Sequence, residues 1–171
     1  IDTNSSATAY QVAMAKSYMS YLYIELGQIE KALQYAKQGM ELYKKSHEKS
    51  DLTVLYLTKT LSGSYYQSQQ YDKAISVTES LIEDAILLHG SHHPFLVELY
   101  ADLGLYYTYI GKVAQSMEVA EKGYQLAKDI LQPNTSAYIH ASSRYADVLK
   151  KAGRFTQAIS VLEDEIAINP A

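Results

Sequence analysis

A repeat of fixed length constrains this chain more than any other feature. Leu103 to Met117 reads LGLYYTYIGKVAQSM, and a shift of 42 residues upstream gives LSGSYYQSQQYDKAI, Leu61 to Ile75. A second shift gives MSYLYIELGQIEKAL, Met19 to Leu33, and a shift downstream gives YADVLKKAGRFTQAI, Tyr145 to Ile159. Ala32, Ala74, Ser116 and Ala158 mark one small residue per copy, each 42 from the next. A fixed period of this length means stacked supersecondary units, each too small to bury its own apolar face and each covered by its neighbours.

Within a copy the apolar residues fall at helical spacing on both sides of a Gly, or of Gln69 in the second copy, so each copy predicts two helices. The expected helices run from about Ser6 to Leu26, Ile29 to Ser46, Leu52 to Gln69, Tyr71 to His89, Phe95 to Ile110, Val113 to Leu131, Ser136 to Ala152 and Phe155 to Ile168. Asn4, Ser5, Ser6 and Asp51 are candidate N-caps, and Gly27, Gly111 and Gly153 are candidate left-handed terminators. In the first helix Val12, Met14, Tyr18, Met19, Leu22, Tyr23 and Leu26 are the apolar set; in the second Ala32, Leu33, Ala36, Met40 and Tyr43 make the inward stripe. Leu55, Leu57, Leu61, Tyr65 and Tyr66 serve the third helix, and Ala74, Ile75, Val77, Leu81, Ile82, Ala85 and Leu88 the fourth. Glu41 with Lys45, Glu118 with Lys122, and Asp147 with Lys151 are i, i+4 pairs for outer faces. Ser62 and Gly63 are read as a close-approach pair, by analogy with Gly104 and Ala146. Pro94 fits a first helical turn, where no amide donor is needed. Polar turns are expected at His47–Asp51, Gly90–Pro94 and Gln132–Ser136, and Asn169-Pro170 is expected to stop the last helix.

Composition narrows the function classes. A net charge of −4 gives no global pull towards nucleic acid or anionic membrane, and Lys44-Lys45 and Lys150-Lys151 are too few for a basic stripe. No apolar run is long enough to span a membrane. Without Cys there is no disulfide framework, thiolate zinc site or Cys nucleophile. His89, His92 and His93 lack a third firm ligand, so they read as turn residues and no metal is expected. No Gly-rich phosphate loop, Gly-x-Ser-x-Gly elbow or His-Glu-x-x-His helix is present, so neither cofactor nor catalytic residue is assigned. Glu163 and Glu165 read as solvated surface. Tyr is the unusual residue, 17 copies against two Phe and no Trp. Tyr rings can fill helix seams with the hydroxyl at the rim or line a partner's groove.

The recurring set resembles the tetratricopeptide repeat family over essentially the whole chain. Copy three carries Leu103-Gly104, Tyr107, Gly111 and Ser116; copy four Tyr145-Ala146, Leu149, Gly153, Ala158 and Pro170; copy one Met19-Ser20, Tyr23, Gly27 and Ala32; copy two Leu61-Ser62, Tyr65, Gln69 in place of Gly, and Ala74. The family's usual period is about 34 residues. The added length, about one turn per helix, is similar to kinesin-light-chain-like repeats, as is the turn Gly90-Ser91-His92-His93-Pro94. The early Trp of many members is absent, with Lys16, Thr58, Tyr100 and Ser142 in its place.

The resemblance implies an all-α, right-handed superhelical α-solenoid of four helix-turn-helix repeats, about 6–47, 48–89, 90–131 and 132–171, in one domain. It implies a concave face lined by the first helix of each pair: Tyr18, Tyr21 and Glu25; Tyr56, Lys59 and Tyr66; Glu98, Asp102, Leu105 and Tyr109; His140, Arg144, Asp147 and Lys151. A peptide with an apolar and a charged segment suits that face, against the plainer reading of a solvated surface. Tyr21 stands where some members carry the Asn of a carboxylate clamp, so that activity is not expected. The implied function is a non-catalytic scaffold for a protein or peptide; the alternative is the sensory or regulatory region of a larger signalling protein, a histidine kinase or transcriptional regulator. The chain starts at Ile1 without a Met, which points to a processed protein or an excised piece. Exposed Ile159, Leu162 and Ile166 on the last helix point to more repeats, another domain or self-association.

Overall fold

The period resolves into antiparallel helix pairs because each pair is closed by the same backbone device. In the computed structural model, which describes residues 3–45 and 51–168, the helices are α1 (Thr3–Glu25), α2 (Ile29–Lys45), α3 (Asp51–Gln67), α4 (Tyr71–His89), α5 (Pro94–Tyr109), α6 (Val113–Ile130), α7 (Ser136–Lys151) and α8 (Phe155–Ile168). Each pair turns on a residue at positive φ: Gly27 at 69°, Gln69 at 60°, Gly111 at 75° and Gly153 at 75°. The amide that follows bonds back five residues: Gln28 to Tyr23, Gln70 to Tyr65, Lys112 to Tyr107 and Arg154 to Leu149, at 2.8–3.0 Å. This is the Schellman closure, which satisfies carbonyls that a helix end leaves open. Gln69 adopts the same conformation without the steric freedom of Gly.

The chain divides into two units, Ile1–Leu81 and Ile82–Ala171, the division falling within α4. In the first, α2 buries Ala32, Ala36, Gly39, Met40 and Tyr43, as its stripe predicts, while Leu33 is half-exposed. Met40 and Tyr43 form a core with Ala13 and Leu57, and Val54 packs on its edge. Added to Gly39, a Cβ would stand 3.0 Å from the Ala13 carbonyl oxygen, so α1 and α2 meet backbone to backbone there. Hydroxyls join the helices elsewhere. Ser20 donates to the Ala32 carbonyl at 2.8 Å and pairs with Ser64 at 3.0 Å. Ser17 donates to Thr60, and Tyr10 pairs with Thr53, both at 3.0 Å. Ser62 reaches the Ala74 carbonyl and the Thr78 hydroxyl. Buried hydroxyls are tolerated because each is paired, a net gain of about 1 kcal/mol per bond.

In the second unit Gly104 lies on Ala120 and Gly123 on Tyr100; a Cβ at either glycine would stand 2.8 and 2.9 Å from those residues' Cβ atoms. Ser116 donates to the Gly104 carbonyl at 2.6 Å, the first pair's Ser–carbonyl bond with donor and acceptor helix exchanged. Tyr124 of α6 stacks on Tyr145 of α7 at 5.4 Å and meets Tyr138 edge-on at 6.2 Å. Burial, with the Tyr138 hydroxyl and the acidic Asp164 and Glu165 nearby, pushes the Tyr124 phenol well above its usual range. Burial and Glu121 likewise push Tyr145 upward. Pro94 opens α5 at its first turn, and the His93 Nδ1 accepts from the Phe95 amide at 3.2 Å as the cap.

Several expectations change. α1 begins at Thr3, so Asn4, Ser5 and Ser6 lie inside it, and Asp51 is the first residue of α3 rather than its cap. The α1 apolar set does not form the core: Val12, Met14, Tyr18, Leu22 and Leu26 are exposed, and the buried line is Ala13, Ser17 and Ser20. Small side chains let α2 and α3 come close on that line, leaving the larger residues outside. Leu88 is exposed as well. Gly63 is no close-approach site, since a Cβ there would meet nothing within 4 Å. Lys122, expected to pair with Glu118, instead lies 4.6 Å over the Tyr100 ring. Glu41 and Lys45 do pair, at 2.8 Å, which holds the Glu41 carboxyl below its usual range. The expected turn at His47–Ser50 and the stop at Asn169-Pro170 lie outside the described residues.

Candidate functional site

The repeat register selects one continuous strip on each first helix. On α1 it is Met14, Tyr18, Tyr21 and Glu25, spaced four, three and four, and therefore on one helical face. Adding 42 gives Tyr56, Thr60, Gly63 and Gln67 on α3; then Glu98, Asp102, Leu105 and Tyr109 on α5; then His140, Arg144, Asp147 and Lys151 on α7. All sixteen are exposed or half-exposed, so each first helix keeps the same face open.

In the first unit the strip is aromatic. Tyr18 is 64% exposed, and its ring stacks on that of Tyr21 at 6.3 Å. Tyr56 on α3 is 61% exposed. Ser17–Thr60 and Ser20–Ser64 hold α1 against α3 beside this face, so the rings stand on a braced surface. Gly63 contributes bare backbone between Thr60 and Gln67. Two residues expected on the face, Lys59 and Tyr66, fall outside the register: Lys59 matches buried Ser17, and the half-buried Tyr66 ring packs 5.9 Å from Tyr71 at the start of α4. Met14, Thr60 and Gly63 hold the register positions, and the 42-residue shift applied to Glu98 and Asp102 would have found Tyr56's partners correctly.

In the second unit the strip is charged. His140 Nε2 lies 3.8 Å from the Asp102 carboxylate and accepts a hydrogen bond from Arg144 Nε at 3.1 Å. A neutral imidazole accepting at Nε2 carries its proton on Nδ1. Asp147 pairs with Lys150 at 2.7 Å, not with Lys151 as the spacing predicts. Tyr109 is exposed at the end of α5. Beyond the strip, Ala146, Asp147, Phe155, Ala158, Ile159 and Leu162 line an apolar groove of about 350 Å³ between α7 and α8.

The histidines of the turn make local contacts. His93 caps α5, His89 stacks on it at 4.6 Å, and His92 pairs with Ser91 at 3.0 Å. Among the described residues no group of three His, Cys, Asp or Glu side chains could hold a metal. Glu165, expected on solvated surface, is instead half-buried, its carboxylate accepting from the buried Ser142 hydroxyl. Among those residues, too, no helix is long and apolar enough to cross a membrane.

Helix pairs that repeat their closure, their crossing and their open face define an all-α helical-repeat solenoid. The family model described as tetratricopeptide repeat matches residues 12–51. The fold is similar to a protein from Podosopora anserina described as a kinesin light chain with nearly identical TPR-like repeats, at TM-score 0.79 and 19% identity over 94% of this chain and 75% of that one. It is also similar to BtubC (BKLC) from P. vanneervenii, at TM-score 0.77 and 18% identity over 92% and 63% of the two chains. The apo form of RapI matches at TM-score 0.74 and 12% identity, over 98% of this chain and 57% of that one. No curated protein sequence matches the chain.

Proposed function

We propose that the chain is a non-catalytic scaffold that binds a protein or peptide on the open faces of its first helices. The observation that carries this reading is the braced tyrosine surface of the first unit. Tyr18, Tyr21 and Tyr56 keep large rings in solvent on one side of α1 and α3, although burying them would be favourable. Tyr is a frequent hot-spot residue because its ring offers area at little entropic cost and its hydroxyl still finds a partner. The first unit's face therefore suits an apolar or aromatic peptide segment. The second unit's face, with Asp102, His140, Arg144 and Asp147, suits a polar one that supplies both signs of charge.

A capture experiment tests this. The chain and a Tyr21→Ala, Tyr56→Ala, Arg144→Ala variant of unchanged Tm are used as bait in lysate. Loss of one hot-spot Tyr weakens binding by at least about 1 kcal/mol, roughly fivefold, so the triple variant should release the partner held by the parent. Equal capture by both would place binding elsewhere and refute the proposal.

A further inference from the structure

One glycine of the first unit has no reason inside the fold. The chain has eight glycines. Gly27, Gly90, Gly111 and Gly153 stand at positive φ, where a side chain would be strained. Gly39, Gly104 and Gly123 are pressed by a neighbouring helix, which would leave a Cβ only 2.8–3.0 Å from its closest atom. Gly63 belongs to neither group. It lies in the interior of α3, not at positive φ, and a Cβ there would meet nothing within 4 Å. Gly is among the least favourable residues in a helix interior, so this position lowers stability with no internal contact to offset it.

The gap lies on the open face of α3, in register with Tyr21 on α1. The Ser20 and Ser64 hydroxyls, each on the residue next to one of these, are 3.0 Å apart and tie the two helices at this level. Tyr21 is half-exposed, and Tyr18 stacks on it. The Thr60 hydroxyl, one turn before Gly63, is engaged by the Tyr56 carbonyl of its own helix. α3 packs on both α1 and α2, so this opening lies within the first unit and not at an end of the chain. Burying a charged group needs a partner of opposite charge, and only Glu25 is charged among the eight strip residues of α1 and α3. An apolar group suits the gap, since it gains contact with the ring and leaves no polar atom unpaired.

We infer that Gly63 is a seat: an apolar side chain of the bound peptide lies over the α3 backbone there, in the room a side chain of the helix would take, against the Tyr21 ring. The seat rests on the peptide-binding proposal and assigns the residue that sets its specificity. Ala at position 63 would fill part of the seat, and Leu would fill it.

Peptide selection tests it. Random dodecapeptides displayed on phage are selected on the parent, and the enriched ones are synthesised with a fluorescent label. Anisotropy then gives their affinity for the parent, for Gly63→Ala, for Gly63→Leu and for a Tyr21→Ala, Tyr56→Ala variant. Gly63→Ala should raise Tm by roughly 2–4 °C and yet weaken these peptides. Gly63→Leu should weaken them further, by about fivefold to a hundredfold. Binding lost from a variant that melts higher is not lost through unfolding. Changing the seated residue of the peptide to Ala should weaken binding to the parent and leave binding to Gly63→Leu unchanged. Peptides that need the two tyrosines but bind Gly63→Leu as tightly as the parent would overturn the seat and leave the open-face proposal standing. Peptides indifferent to the tyrosines, or no enriched peptide at all, would overturn both.

Discussion

Gly63→Ala and Gly104→Ala make the same chemical change in the middle of two equivalent helices, and the structure gives them opposite outcomes. Replacing a helical Gly by Ala gains about 0.8–1 kcal/mol of backbone propensity when nothing else changes. At Gly63 nothing else does, because the new methyl would meet no atom within 4 Å. The full gain should appear as a rise in Tm of roughly 2–4 °C for a chain of this size. At Gly104 the methyl would stand 2.8 Å from the Ala120 Cβ and 3.3 Å from its Cα and N. Apolar carbons rest at about 3.5–4 Å, and a backbone neighbour cannot swing aside, so α5 and α6 must separate. Overpacking of this kind costs about 1–3 kcal/mol, which cancels the propensity gain or exceeds it by up to about 2 kcal/mol. Thermal melts followed by circular dichroism separate the cases. A Gly63→Ala variant that melts below the parent, or a Gly104→Ala variant that melts above it, would refute the reasoning from close approach.

Further outcomes follow from the same contacts. Gln69→Gly should raise stability by about 0.5–1 kcal/mol, the relief of a left-handed conformation less the added freedom of the unfolded chain; urea titration measures it, and Gly111→Ala should move the other way. His93→Ala removes the cap on the Phe95 amide and should cost about 1 kcal/mol, read in the same titration. Tyr124 holds its proton more tightly folded than unfolded, so its contribution is complete below the ordinary phenol pKa of about 10 and is lost as pH rises above that value. Tm should therefore fall from about pH 10 upward, and less steeply in Tyr124→Phe; equal slopes would show that the seam does not hold the proton.

The period placed every helix pair because it repeats the closing residue, and Gln69 is legible as a left-handed site only from the three glycines in its register. What lies on which side of a helix was less legible. The α1 stripe has helical spacing, but spacing does not say whether another helix covers it, and the buried line fell to Ala13, Ser17 and Ser20. Those serines bury because Ala32, Thr60 and Ser64 pair with them, a fact that exists only across helices. Gly63 looks like a crossing residue in isolation, yet its register mates are Tyr21, Leu105 and Asp147, too large for any close approach. Gly104 has Ser20, Ser62 and Ala146, small throughout. The strip was recoverable by the same bookkeeping, which selects Thr60 and Gly63 over Lys59 and Tyr66. The Asp102–His140–Arg144 cluster was not, because it depends on the distance between α5 and α7.

The claim that the open faces of the first helices hold the partner is tested most directly by photo-crosslinking. A photoreactive phenylalanine analogue replaces Tyr21 or Tyr56 in one set of proteins, and exposed Gln34 on α2 in a control. Crosslinks to one partner from positions 21 and 56, with none from position 34, are the predicted result. Crosslinks from position 34 while positions 21 and 56 stay silent would contradict the account.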